Sequence, residues 1–274
     1  MEVYVLSDDI LSNIEKYRLQ GYIIPHPSLI KTQEQLEGIR ISGKITTEIL
    51  DLLDREIHPG MTTAQIDKLV YDYTADHGAV PATLNYNGFP KSVCTSINDV
   101  VCHGIPNDKT VLKPGDIINI DVSTILNGFF SDASRMYLVG EVSPQAKRLV
   151  KVTKECLELG TRQVKPYGSI NDIGRAIEPY ANQNGYTVVR DLGGHGVGLK
   201  FHEEPHVDHF EKSGKGVLML PGMVFTVEPM INEGGYSVKM ARDNWTITTR
   251  DGSLSAQWEY TIAVTETGYE ILAG

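Results

Sequence analysis

A repeat at a single offset constrains this chain more than any other feature. Residues 57–80 read IHPGMTTAQIDKLVYDYTADHGAV and residues 164–187 read VKPYGSINDIGRAIEPYANQNGYT. Set 107 positions apart, they place Pro59 on Pro166 and Thr62 on Ser169. The apolar sets Ile66, Leu69, Val70, Tyr73 and Ile173, Ala176, Ile177, Tyr180 then coincide. Each has the i, i+3, i+4, i+7 spacing of one face of an amphipathic helix. Thr62 with Gln65 has the form of a capping box, and Ser169 with Asp172 is a looser version. Gly78 and Gly185 stand where each helix should end. Pro179 removes a backbone donor and is expected to kink the second helix.

The same offset returns in KPGDIINID, ending at Asp121, and LPGMVFTVE, ending at Glu228. Each is a Pro-Gly turn, a β-forming run, and an acid seven residues after the proline. One Pro-Gly turn before a strand is too common to carry weight; two separate segments in one register read as a duplication. The expected fold is therefore α/β of the α+β type. Two pseudo-twofold-related helix–strand halves surround a mixed, largely antiparallel sheet, with a site between them. No linker divides residues 32–274, read as one catalytic domain, and residues 1–31 match neither half and read as an N-terminal extension.

Composition narrows the function classes. The net charge is −10, which disfavours a phosphate-tracking nucleic-acid binder. No apolar run approaches a membrane span, and the acidic N-terminus lacks the basic region of a signal peptide. Cys94, Cys102 and Cys156 cannot all pair and show no Cys-x-x-Cys spacing, which suits free thiols in a reducing cytoplasm.

The chemistry is carried by acids in unexpected places. Asn127-Gly128 is a two-residue hairpin signal, so Leu126 should face Phe129 and paired positions should sum to 255. Asp132 then lies opposite Ser123, and Asp121 and Asp132 share a face as diagonal neighbours ~7–8 Å apart at the backbone. That gap suits carboxylates bracketing cations ~3.5–4 Å apart. Glu228 ends the strand VFTVE, and Glu259 sits inside SAQWEYTIAV, another β-forming run. Four converging carboxylates would repel one another, and two divalent cations would balance them, whereas an acid/base pair needs only two acids.

A nitrogen ligand is expected on a loop that lets backbone come close, and GGHGVG around His195 fits. The same stretch lacks the pattern of a phosphate-cradling loop. His202-Glu203-Glu204-Pro205-His206 satisfies the H-E-x-x-H zinc-protease spacing, but Pro205 opposes the continuous helix that this chemistry requires.

NGFPKSVCTSINDVVCHGIP (87–106), INIDVS with FSDAS, GGHGVG, FHEEP, FTVEPM and LSAQWEYTIAVTETG together resemble the type I methionine aminopeptidases, from about Ile30 to the end. The resemblance implies a pita-bread fold and co-translational removal of the initiator methionine, with preference for a small second residue. It implies a dinuclear centre of Asp121, Asp132, His195, Glu228 and Glu259, holding two divalent ions of the Co, Mn, Fe or Zn kind. It also implies His103 near the substrate's N-terminal side, His202 on the reacting carbonyl, and Glu228 as proton carrier. Tyr86, Phe89, Cys94, Phe201 and Trp245 are implied as the methionine pocket.

Thr83, Asn87 and Tyr260 depart from residues frequent in the family, and no cysteine precedes Cys94 to build the zinc-binding segment of some relatives. The remaining histidines, at 26, 58, 77, 206 and 209, read as surface or loop residues. Implied partners are methionyl peptides and nascent chains, with transient contact to the ribosome, no membrane, no nucleic acid, and a monomeric state in the cytoplasm. Two rivals differ in class: an Xaa-Pro aminopeptidase on the same fold, and a non-catalytic pita-bread binding protein, which would have lost metal ligands.

Overall fold

The computed structural model describes residues 8–274, so the first seven residues of the extension lie outside the described residues. The duplication is visible as matched hydrogen bonds. Gly60 donates to the Leu112 carbonyl at 2.7 Å, and Tyr167, 107 residues later, donates to that of Met219 at 2.7 Å. Isolated antiparallel bridges join Thr62 to Val111 and Ser169 to Leu218, again 107 apart at both ends. Gly60 has φ 91° and Tyr167 φ 64°, so the second copy forces a side-chain-bearing residue into the left-handed region.

Each half supplies two helices. Gln33–Glu56 starts at a capping box formed by Thr32 and Gln35 and buries Ile39, Ile49, Leu50 and Leu53. Thr63–Asp76 starts at the expected capping box of Thr62 and Gln65. Pro144–Thr161 and Asn171–Gln183 are their counterparts. The looser cap of the second copy consists of the Ser169 N–H donating to Asp172 Oδ2 and the Ser169 hydroxyl accepting from Asn171. Asn171–Gln183 continues for four residues beyond Pro179.

The hairpin register is the expected one. Ile117–Leu126 pairs antiparallel with Phe129–Leu138 from Ile117↔Leu138 to Leu126↔Phe129, every pair summing to 255. Asn127 (φ 51°) and Gly128 (φ 84°) make the turn, both in the left-handed region that a two-residue hairpin of this hand requires. The other edge of Ile117–Leu126 carries Val80–Pro81 and Cys94–Ile97.

In the second half a five-stranded antiparallel sheet runs Tyr269–Ala273, Tyr260–Val264, Val224–Val227, Gly194–Gly196, Glu203–Val207. Ile97 faces Ile118 and Gly196 faces Phe225. Positions 118 and 225 are 107 apart, so His195 occupies the place of Ser96. A backbone bridge between Ser134 and Glu259, with the Glu259 N–H donating to the Ser134 carbonyl at 3.0 Å, joins the strands of the two halves.

Two large apolar clusters cover the sheets, one around Leu149, Cys156, Ile177 and Phe225, the other around Leu50, Ile66, Ile118 and Val122. Each such side chain contributes about 1.5–3 kcal/mol by leaving water. Upstream of the first half, Ile23 bridges Val217, Ile30 bridges Met223, and Tyr17 stacks on Tyr167 with ring centroids 5.9 Å apart. Among the described residues no helix is long and apolar enough to cross a membrane.

Candidate metal centre

Between the halves lies a cavity of about 410 Å³ whose lining includes Asp121, Asp132, His195, Glu228 and Glu259. Ligand atoms of Asp132, His195 and Glu259 all lie within 4.8 Å of one another. His195 Nε2 is 3.7 Å from Asp132 Oδ2 and 3.8 Å from Glu228 Oε1. Strand alternation delivers Asp121 and Asp132 to one face as the hairpin register requires.

The backbone around these groups is tied by side chains that bear no charge. Ser123 Oγ donates to Asp132 Oδ1 at 2.8 Å, and Thr261 Oγ1 both donates to the Asp132 carbonyl and accepts its N–H. Thr226 Oγ1 donates to Glu228 Oε1 at 2.6 Å and accepts the His195 N–H at 3.0 Å. Gln257 Nε2 donates to Glu228 Oε2 at 3.1 Å. His195 Nδ1 lies 3.0 Å from the Gly196 carbonyl, which can only accept, so Nδ1 carries the hydrogen. The Nε2 lone pair therefore faces the acids, the tautomer a metal ligand needs.

Burial governs the electrostatics. It pushes the Asp121 carboxyl up to about 6 and Glu228 up to about 8, and lifts Asp132 and Glu259 well above the usual carboxylate range. It lowers His195 to about 3 and His202 to about 4, so both imidazoles are neutral near pH 7. Asp121 Oδ1 is buried and has no hydrogen-bond partner. An unpartnered buried carboxylate oxygen, crowded acids and one correctly oriented imidazole fit divalent cations, which would replace the protons these groups otherwise retain. Oxygen-rich ligation with one nitrogen suits several first-row metals.

The cavity wall gathers every other residue singled out from the sequence for this site. Tyr86, Phe89, Cys94, Phe201, Trp245, His103 and His202 all line it, as do Thr83 and Asn87. His202 stacks on Tyr86 (5.1 Å between centroids) and lies 4.0 Å from the His195 ring. Phe89 meets Trp245 edge-on at 5.2 Å. His103 is held at φ 57°, a conformation rare for a residue with a side chain, edge-on to Trp245. Tyr260 lies elsewhere: with Trp258 it lines a separate cleft beside Arg135 and Lys154. Residues 203–207 form a strand, so the H-E-x-x-H spacing has no helix to act on.

One histidine expectation needs correction. His209 is not a surface residue: it is 1% exposed, and its Nε2 accepts the Glu228 N–H at 2.9 Å. His206 is exposed, as expected, among the residues lining the cavity, and lies 3.3 Å from Asp208. Gln257 and Thr226 were likewise not singled out. Gln257 reaches Glu228 from 29 residues away, and Thr226 links the Glu228 carboxylate to the backbone of His195, 31 residues away.

Residues 37–266 match the model of metallopeptidase family M24. The chain is 52% identical to methionine aminopeptidase A of Synechocystis sp. over 88% of its own length and 95% of that protein's. It is similar to the crystal structure of methionine aminopeptidase from Rickettsia prowazekii at 48% identity, with a TM-score of 0.87, covering 89% of this chain and 99% of that one. The methionine aminopeptidase structure from Thermotoga maritima is 37% identical, also with a TM-score of 0.87, over 89% and 98% of the two chains.

Proposed function

From the premise that this chain belongs to metallopeptidase family M24, and within it to the type I methionine aminopeptidases, we propose how its own residues remove an N-terminal methionine. The observation that carries the reading is the meeting of three buried carboxylates, the half-buried Asp121 and one imidazole on the wall of a cavity that aromatic side chains also line. Asp121, Asp132, His195, Glu228 and Glu259 would hold two divalent cations of the Co, Mn, Fe or Zn kind. Such ions, when bound, supply Lewis acidity, lowering the pKa of water and polarising a carbonyl.

The protein supplies the rest. Tyr86, Phe89, Cys94, Phe201 and Trp245 offer an unbranched thioether an apolar, polarisable slot, in which sulfur–aromatic contacts favour methionine. Asp121 presents negative charge to the substrate's free amino group, which restricts cleavage to chain ends. Glu228, whose burial brings its proton affinity near neutrality, takes a proton from the attacking water and returns it to the leaving amine. His202 is neutral and therefore retains one N–H, which it donates to the scissile carbonyl as negative charge develops there. His103 approaches from the substrate's N-terminal side. The second residue sits against the acids and the segment around His202, so a small side chain is accepted.

The natural substrates in this reading are nascent chains that retain their initiator methionine, met by a monomer in transient contact with the ribosome in the cytoplasm. The decisive test is hydrolysis of Met-Ala-Ser and of Ala-Pro peptides after chelation and readdition of Mn, Fe, Co or Zn. Metal-restored cleavage of Met-Ala-Ser is the expected result. Preference for Ala-Pro peptides would replace this reading with a proline-directed one, and activity indifferent to chelation would remove the metal from it.

A further inference from the structure

Lys31 is 1% exposed, and its ammonium lies 2.5 Å from Glu203 Oε2, a residue 172 positions away. The other oxygen of that carboxylate, Oε1, accepts the N–H groups of Leu199 at 2.7 Å and Lys200 at 2.8 Å. Glu203 thus closes the turn immediately before Phe201 and His202, and Lys31 holds Glu203 in place from behind.

Lys31 is itself fixed by contacts independent of this turn. Its N–H donates to the Gly222 carbonyl at 2.8 Å, and the next residue, Thr32, opens the capping box of Gln33–Glu56. The lysine stem passes Gly198, where an added Cβ would come within 3.3 Å of Lys31 Cε and 2.5 Å of Ile39 Cδ1. The Gly198 carbonyl accepts the Phe130 N–H at 2.8 Å. The turn is therefore anchored to the first-half hairpin at one end and to a buried ion pair at the other.

Stability alone is a poor reason for this arrangement. Exchanging a buried ion pair for apolar groups is often neutral or stabilising, because desolvation offsets the attraction between the charges. Geometry gives a better reason. A carboxylate that must receive two backbone N–H groups in one orientation is held there by a single well-placed cation.

We propose that Lys31 is a positioning residue for the reaction: through Glu203 it fixes the turn at residues 199–200 and so sets where His202 and Phe201 stand in the cavity. This rests on the reading above in taking His202 to act on the substrate.

The test compares Lys31→Met, Glu203→Gln and the double variant with the parent protein. Two measurements are made: amide hydrogen exchange over residues 199–202, and kcat and KM for Met-Ala-Ser in the Mn-loaded enzyme with metal content recorded. In Lys31→Met the carboxylate loses its counter-ion, so exchange at Leu199 and Lys200 should accelerate. With His202 displaced, kcat should fall ~10- to ~100-fold at nearly constant KM and unchanged metal content. The double variant leaves no buried charge, and the amide oxygen still accepts both N–H groups, so slow exchange and most of kcat should return together.

Should Lys31→Met fail to fold, Glu203→Gln against the double variant makes the same comparison, since Glu203→Gln leaves Lys31 buried and unpaired. A single variant with normal kcat, a kcat loss without altered exchange, or exchange restored without kcat would each overturn the proposal. A parent protein inactive on every methionyl peptide would instead defeat the proposed function and with it the kinetic arm. The exchange pattern alone decides whether the clamp exists.

Discussion

The Glu228 N–H donates to Nε2 of His209 at 2.9 Å, so a fully buried neutral imidazole fixes the backbone of the acid assigned the proton transfer. Burial lowers the His209 pKa to about 3, which keeps that nitrogen an acceptor throughout the working pH range. His209→Ala should leave the donor buried and unpaired, costing about 1–3 kcal/mol of stability. Metal affinity should fall ~10- to ~100-fold, as when other groups that orient a ligand are removed. Urea unfolding and metal titration measure the two effects. A variant with normal values for both would show that His209 merely fills space.

Glu228→Gln and Glu259→Gln keep shape and remove charge. Metal content is expected to drop and turnover to fall by orders of magnitude while the fold survives. Elemental analysis beside circular dichroism decides the matter. Full metal stoichiometry and wild-type rates in both variants would eliminate the dinuclear assignment.

If His202 has the proposed role, His202→Ala removes one donor to the developing oxyanion and should lower kcat ~10²–10³-fold. KM should change little, because the interaction strengthens only in the transition state. Steady-state kinetics on Met-Ala-Ser distinguish this from a pure KM effect, which would contradict the role.

Metal-free protein should lose stability as the pH rises from about 7.5 to 8.5. Glu228 in the folded state titrates at about 8, above its usual range, so over this window the folded state binds more protons than the unfolded chain. Its contribution to stability therefore declines with rising pH, by up to about 1.4 kcal/mol per pH unit for each proton retained. His195, His202, His209 and His103 are all lowered and neutral in the folded state; in the unfolded chain they titrate near 6.5 and act in the opposite sense, an effect largely spent above about pH 7.5. Thermal melts in chelator should show the decline, and saturating metal should flatten it. A flat profile in chelator would argue that the acids are not held protonated.

Specificity can be separated from chemistry with four peptides. Met-Ala-Ser should be cleaved well, Nle-Ala-Ser tolerably and Leu-Ala-Ser poorly, since small changes of shape in an apolar pocket are worth only about 1–3 kcal/mol. Met-Lys-Ser should be cleaved far more slowly than Met-Ala-Ser. Equal kcat/KM for those two would undermine a role on initiator methionines even with the hydrolysis intact.

What the sequence made legible was local or periodic. The 107-residue register placed the helices, and Asn127-Gly128 set a hairpin in which Asp121 and Asp132 share a face. Glu228 and Glu259 stood out because acids are unusual in such strands. His209, Gln257 and Thr226 carried no such mark. Each acts through one or two hydrogen bonds to a backbone group or to a carboxylate, and nothing in spacing or polarity distinguishes it from an ordinary loop or strand residue. Lys31 was hidden more deeply, since lysine is normally solvated and its partner is 172 residues away.

The segments joined by the Ser134–Glu259 bridge belong to different halves, and so do the proposed ligands. Asp121 and Asp132 come from one copy and His195, Glu228 and Glu259 from the other, so the molecule is in effect a tethered dimer. The tether replaces protein concentration with a fixed local concentration of each half around the other, and assembly of the site is therefore indifferent to dilution. Cutting the chain at the exposed Gly140-Glu141 connection would turn the same site into one that two separate fragments must find together, and that dilution could dismantle.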